Sequence, residues 1–334
     1  MRVLVTGASG MLGGAVADLL HAHGDDVVVM QRRSAGGRHE EVLGDITDPS
    51  AVTRATSGAE AVVHLAAKVD VVGRWEDYLA TNVQGTRNVL DAARATGVRS
   101  VVYVSSPSVA HSGASIIGEG ATPATDSARS QGHYARSKAM AERLALSAHG
   151  PGLAVTAVRP HLVWGPGDTQ LVGRIVDRAR AGRLALVGSG TALVDTTYVD
   201  NAASAICAAL RRIDITGGEA FVVTNGEPRP IGELIGDICR ACGVAPPRHT
   251  VPYPLAWVVG GIVEGVTAAS YRLPRVPAIE QPPLTRFLAA QLSTAHWFDQ
   301  QRTREALDWS PQVSLSEGLD RLRAHSSGGT RASS

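Results

Sequence analysis

At 334 residues the chain exceeds a single minimal domain, and with 44% hydrophobic and 19% charged residues it has the mix of an ordinary globular protein with a large core. A net charge of +1 speaks against a polyanion binder, because nucleic-acid affinity rests on clustered Lys and Arg, so no nucleic-acid partner is expected. Three cysteines, Cys207, Cys239 and Cys242, cannot all pair and point to a reducing compartment, read here as the cytoplasm.

Residues 2–6 read as a buried strand. The apolar run in it is too short for a secretion signal and leads straight into glycines. Thr6-Gly7-Ala8-Ser9-Gly10-Met11-Leu12-Gly13 then turns into a helix over 13–23. Glycines there let the backbone turn tightly and let a pyrophosphate reach the helix N-terminus, whose free N–H groups and dipole hold an anion. Gly7, Ser9, Gly10, Met11, Leu12 and Gly13 are therefore candidate dinucleotide contacts. A plain tight turn is the alternative, but a strand before and a helix after favour the phosphate loop.

The next strand, 26–30, runs into Met30-Gln31-Arg32-Arg33-Ser34, where an NAD site would close on a carboxylate. Two arginines and no acid suit a 2′-phosphate held by bidentate bonds, so NADP(H) is expected over NAD(H), with Arg32 and Arg33 as ligands. A solvated basic loop is the other reading. Asp45 and Ile46 are placed to flank the adenine. A strand over 61–65, a helix over 79–96 with Val83, Val89 and Leu90 inward, and a strand over 100–104 follow. A helix over 135–148 and a strand over 154–158 complete the series. Apolar strands alternating with helices indicate an α/β, doubly wound parallel sheet of the Rossmann type.

Tyr134 and Lys138 stand one helical turn apart and share a face. A nearby ammonium favours the phenolate and would lower the tyrosine pKa, fitting it for acid–base work. Ser105-Ser106 closes the 100–104 strand, at the sheet end where doubly wound folds bind ligands.

After Arg159-Pro160 prolines and glycines multiply. The expected organisation is a cofactor domain over 1–160, with a strand and a helix returned to it from 194–224. A substrate-binding region over 161–193 and 225–325 and a disordered polar tail over 326–334 make up the rest. Cys239 and Cys242 form a lone C-x-x-C in a helical pattern and read as packing, so no metal is expected. The apolar stretch 255–271 is broken by Glu264 and glycines and falls short of the ~20 residues of a membrane span. Leu255, Trp257, Val258, Val259, Ile262, Val263, Val266 and Tyr271 would wall an apolar substrate pocket, or else pack as a helix, meet a partner or touch a membrane surface.

The chain resembles the extended short-chain dehydrogenase/reductase family (the NAD-dependent epimerase/dehydratase superfamily). The matching pieces are Thr6-Gly7-x-x-Gly10-x-x-Gly13, His64-Leu65-Ala66-Ala67, Asn82-Val83-x-Gly85-Thr86, Tyr103-Val104-Ser105-Ser106, Tyr134-x-x-x-Lys138 and Arg159-Pro160. The resemblance implies that Tyr134 gives or takes the proton, that Lys138 also holds the nicotinamide ribose, and that Ser106 orients the substrate oxygen. Asn82 takes the family's helix-kinking or proton-relay position, and Leu65, Ala66, Ala67 and Pro160 line the cofactor. A homodimer through a two-helix face is implied as well. Ser106 is followed by Pro107-Ser108, without the acidic pair that dehydratases of the family carry.

The stretches from Tyr103 to Ala110, His161 to Asp168, Thr197 to Ala202, Pro283 to Phe287 and His296 to Asp299 are similar to the 3β-hydroxysteroid dehydrogenase branch. They are similar above all to bacterial reductases of 2-alkyl-3-oxoalkanoates in long-chain olefin synthesis. The expected activity is NADPH-dependent reduction of a lipophilic ketone, a 2-alkyl-3-oxoalkanoate going to its 3-hydroxy acid. Three readings stay open beside it: a 3β-hydroxysteroid dehydrogenase, an NDP-sugar epimerase using Arg174, Arg178, Arg180 and Arg183, and a non-catalytic NADP-sensing protein.

Overall fold

Along Arg2–Thr6, Val3 and Val5 pack to one side and Leu4 to the other, and all three are fully buried. A strand dry on both faces belongs inside a sheet that helices cover twice. The computed structural model, which describes residues 1–34, 36–70, 72–111, 113–125, 132–270 and 284–329, has that sheet. Its seven parallel strands run in the order Ala220–Val223, Ala154–Pro160, Ser100–Val104, Ala61–His64, Arg2–Thr6, Asp26–Gln31 and Glu40–Leu43. Helices Met11–Ala22 and Val199–Arg211 cover one face through Val16, Leu20, Ile206 and Leu210. Helices Pro49–Thr56, Gly85–Thr96 and Gly132–Ser147 cover the other through Val52, Val89 and Ala141. The chain order reverses between Arg2–Thr6 and Ala61–His64, which opens the crevice where such sheets take ligands.

A second, four-stranded sheet sits beyond the strand ends, in the order Arg229–Pro230, Leu193–Val194, His296–Phe298 and Ile116–Glu119. One of its strands departs from the expected division of the chain. Ile116–Glu119, from within 1–160, joins this small sheet rather than the large one. The segment after 193 returns a helix, Val199–Arg211, and a strand, Ala220–Val223, to the large sheet. Leu193–Val194 and Thr197–Tyr198 pair elsewhere, in two-residue strands too short to extend a seven-stranded edge. Leu307 and Trp309, from the expected substrate region, also pack into the core beneath the large sheet.

The reading of one continuous helix over 79–96 is refined to a π-helical turn, Leu79–Gln84, running into the α-helix Gly85–Thr96. Helix Leu315–Gly329 carries order through 326–329, where a disordered tail was expected; 330–334 lie outside the described residues. In helix Tyr253–Ser270 only one narrow side faces inward: Ala256 is buried, and a side chain at Gly260 would meet the Thr285 backbone at 2.7 Å. Leu255, Trp257, Val258, Val259, Ile262 and Val266 are exposed, so among the described residues they do not wall an enclosed pocket, and Tyr271 and Pro283 lie outside those residues. No helix there is long and apolar enough to cross a membrane.

Candidate active site

Two glycines of the turn leave no room for a side chain. Gly7 has a φ of +79°, and a Cβ on it would sit 2.8 Å from the Ala66 nitrogen; a Cβ on Gly13 would sit 2.2 Å from the Gly7 carbonyl oxygen. Helix Met11–Ala22 starts at Gly10 with neither a side-chain cap nor an acid in its first turn. Its first N–H groups are thus open to an anion at the crevice, with Ser9 and Gly10 exposed and Met11 and Leu12 half-buried beside them. Leu65, Ala66 and Ala67, half-buried, face this turn from the end of Ala61–His64, and buried Pro160 ends its own strand. These residues fit a dinucleotide.

Arg32 and Arg33 are exposed, and neither has an ion-pair partner among the described residues. The absence of an acid there holds only along the strand itself. Glu41, on the neighbouring strand, accepts from Gln31 Nε2 at 2.6 Å and Ser34 Oγ at 2.5 Å. A carboxylate therefore stands beside the ribose end after all, already engaged. Asp45 holds Thr47 through its backbone N–H and hydroxyl, both at 2.9 Å, while Ile46 is buried against Gly85.

Beneath the crevice runs a chain of hydrogen bonds whose direction can be worked out. The Thr86 hydroxyl donates to the Asn82 carbonyl (2.7 Å), which can only accept, so Thr86 accepts from a proton on His64 Nε2 (3.0 Å). Nδ1 of the neutral ring then accepts from the Thr6 hydroxyl (2.7 Å), which itself accepts from Ala66 N–H (3.1 Å). Burial pulls the His64 pKa down to about 3, with Lys138 adding to it, so the ring is neutral as this wiring needs. Asn82 continues the chain. Its Oδ1 accepts from the Lys68 N–H (2.7 Å), and its Nδ2 donates to the Lys68 carbonyl (3.0 Å) and to Ser137 Oγ (2.8 Å). Ser137 in turn donates to the Tyr134 carbonyl (2.8 Å). Asn82 sits in the π-turn, and its two donors tie the helix of Tyr134, through Ser137, to the Lys68 loop.

Ser106 caps the short 3₁₀ turn Pro107–Ala110 and accepts from the Ser108 N–H (3.3 Å) and hydroxyl (3.0 Å). Its own proton is left for Tyr134 or a substrate, and its hydroxyl favours the Tyr134 phenolate. Lys138 corrects the sequence reading. Its Nζ donates to the Val104 carbonyl (2.6 Å) and lies 4.3 Å from the centre of the Tyr103 ring, rather than acting on the Tyr134 phenol. Burial accordingly raises the Tyr134 pKa above its ordinary value, with the bond to Ser106 opposing, where a lowered one was expected. The same burial brings Lys138 down to about 7, and Glu142, one turn further along, pushes it back up.

Glu142 is itself fully buried in a two-pronged pair with Arg159, at 2.8 and 2.5 Å, and Arg159 also donates to the Thr122 carbonyl at 2.7 Å. The sequence reading passed over Glu142, although its place four residues after Lys138 was a signal. It also passed over Ser137, next to Lys138 on the same helix, Ser108, two residues after Ser106, and Lys68, which the loop after Ala61–His64 brings to Asn82.

A doubly wound sheet with an anion-ready turn, and with serine, tyrosine and lysine gathered at its strand ends, defines the short-chain dehydrogenase/reductase class of oxidoreductases. The chain belongs to the NAD dependent epimerase/dehydratase family, whose model matches residues 3–224. It is 40% identical to the 2-alkyl-3-oxoalkanoate reductase of Stenotrophomonas maltophilia (strain K279a), a match that covers 98% of this chain and 99% of that protein. It is 30% identical to the sterol-4-alpha-carboxylate 3-dehydrogenase, decarboxylating, of Homo sapiens, over 96% of this chain and 87% of that one. Among solved structures, MoeE5 in complex with UDP-glucose and NAD matches with a TM-score of 0.74 at 24% identity, over 99% of this chain and 100% of the other. At that identity the likeness concerns the fold.

Proposed function

We propose that this protein is an NADPH-dependent reductase that converts a 2-alkyl-3-oxoalkanoate to the 3-hydroxy acid. The observation that carries the reading is the end-to-end relationship to a 2-alkyl-3-oxoalkanoate reductase, together with Ser106, Tyr134 and Lys138 all in place. Both relatives named above act, by their names, on a carbon next to one that bears a carboxylate.

NADPH, when bound, supplies the hydride. The turn from Gly7 to Gly13 would hold its pyrophosphate, Arg32 and Arg33 its 2′-phosphate, Asp45 and Ile46 its adenine, and Leu65, Ala66, Ala67 and Pro160 its flanks. Ser106 donates to the substrate carbonyl oxygen and fixes its direction. Tyr134 gives that oxygen a proton as charge develops on it, and a phenol kept protonated by burial suits a donor. Lys138 exchanges the Val104 carbonyl for the nicotinamide ribose and returns positive charge to the site. Asn82 keeps the helix of Tyr134 in register. The setting is the cytoplasm, with a homodimer as the working assembly.

The test is NADPH oxidation with a synthetic 2-alkyl-3-oxoalkanoate. Tyr134→Phe is expected to lower kcat by about 10²–10⁴-fold. A wild-type rate no higher than the variant's overturns the reductase. The cofactor assignment is tested separately: kcat/KM should favour NADPH over NADH by about tenfold or more, and Arg32→Ala with Arg33→Ala should erase the preference. A wild type that prefers NADH overturns it.

A further inference from the structure

Beside Ser108, two residues on from Ser106, lies a small pocket whose polar lining includes His111, His161, His296, Gln291 and Ser108 itself. The rings crowd together: His111 and His296 are 4.9 Å apart between centroids, and His161 and His296 are 5.9 Å apart. All three are buried, yet they are not equally provided for. His161 Nδ1 meets the Asp195 carbonyl at 2.6 Å, and His296 Nε2 meets Thr294 Oγ1 at 2.9 Å. Neither nitrogen of His111 has a hydrogen-bond partner among the described residues. A polar ring so deeply buried with both nitrogens idle calls for an occupant of the space it faces.

Ser108 joins this cavity to the candidate active site. It lines the cavity, its hydroxyl donates to Ser106 at 3.0 Å, and Ser106 acts on the Tyr134 phenol. A group bound at Ser108 and His111 is therefore one hydroxyl away from the carbonyl that Ser106 would hold. In a 3-oxo acid the carboxylate carbon and the ketone carbon are separated by a single carbon, so the two groups can occupy the two places together.

We propose that the cavity is the carboxylate subsite, in which His111, His161 and His296 hold the acid group of the substrate while Ser106 and Tyr134 take its ketone. This rests on the reductase reading and adds which end of the substrate is recognised, and by what.

The charges around the rings agree. The groups acting on them electrostatically are the histidines themselves, with no lysine, arginine or carboxylate among those causes. Asp195 shows His161 its backbone carbonyl and turns its carboxylate to Thr224 Oγ1 (2.6 Å) and the Glu227 N–H (3.3 Å). Burial lowers all three histidine pKa values, so the rings are neutral. An arriving carboxylate supplies the counter-charge that draws a proton onto the cluster. Binding of the acid is thus coupled to proton uptake.

The experiment is calorimetric titration of octanoate, and separately of 1-octanol, into the protein saturated with NADP⁺, at pH 7 in two buffers of different ionisation enthalpy. Octanoate should bind with uptake of up to one proton, and 1-octanol with none. His111→Asn and His296→Asn, on different elements, should each lower the octanoate-to-octanol affinity ratio by about tenfold or more and reduce the uptake. An unchanged ratio in both variants, or octanoate binding without proton uptake, overturns the subsite, and the cavity then holds water only. Because no turnover is needed, the result stands apart from the assay with the oxo acid. A reductase that treats octanoate like octanol overturns the subsite alone, and a protein without reductase activity overturns the activity alone.

Discussion

His64, at the end of a strand of the large sheet, and His111, beside the small one, are both about 1% exposed and both shifted by burial toward the neutral ring. They differ in where their nitrogens go. His64 is wired on both sides, from Thr6 to Thr86, and the chain it closes passes through Asn82 to the helix of Tyr134. His111 faces a cavity with nothing on either nitrogen among the described residues. A buried polar group that is satisfied braces a fold, whereas one left unsatisfied in a cavity is a place for a ligand. The seven-stranded half of the molecule carries the first kind, and the part built around His296–Phe298 carries the second.

The largest expected effect is one that both regions share. His64, His161 and His296 are held down to about 3, 4 and 3, whereas in the unfolded chain each titrates near 6.5. Between those limits the unfolded state binds more protons, so stability rises with pH there. It is complete above about 6.5 and is lost on acidification, by about 1.4 kcal/mol per pH unit for each ring. Urea unfolding from pH 7 down to 5 should show a slope of several such units, and a flat profile would contradict the neutral rings. Saturating octanoate should then separate the regions, flattening the share of His161 and His296 and leaving that of His64.

Next in size is His64→Phe. The Thr6 hydroxyl would lose its acceptor and Thr86 its donor, both inside the core, at a cost of about 2–3 kcal/mol. The urea midpoint should fall accordingly with an unchanged m-value. NADPH turnover should fall too, since the chain that reaches Asn82 is broken. Full stability in this variant would mean that the wiring beneath the crevice is incidental.

How much of this the sequence reveals differs between the same two regions. The Val-rich strands and the turn from Gly7 to Gly13 are legible because burial on both faces and room for a pyrophosphate each leave a local mark. Glu40–Leu43 is not legible, being a half-exposed edge strand with two glutamates and no apolar run. Tyr134 and Lys138 are legible by spacing, but spacing cannot tell that the ammonium turns to the Val104 carbonyl. His111, His161 and His296 lie far apart along the chain. The pairing of Ile116–Glu119 with His296–Phe298 brings His111 and His296 together, and His161 joins them from the end of Ala154–Pro160. The glycine turn announces its ligand in eight consecutive residues, whereas a subsite assembled from three separate segments has no such local pattern.

The smallest effect discriminates best. Replacing His111 by Phe keeps a ring of similar shape and removes two buried nitrogens that have no partners among the described residues. Deleting an unsatisfied polar group in this way is close to neutral, or stabilising by up to about 1 kcal/mol, because nothing is left behind unpaired. His111→Phe should therefore hold or raise the urea midpoint, while His64→Phe lowers it, although the two substitutions are chemically identical and equally buried. Equal losses in the two variants would mean that His111 is wired into the fold after all. Its ring would then belong with His64, and the cavity would lose its claim to a ligand. A neutral or positive result, joined to a lost preference for octanoate, would set the two histidines apart on stability and binding at once.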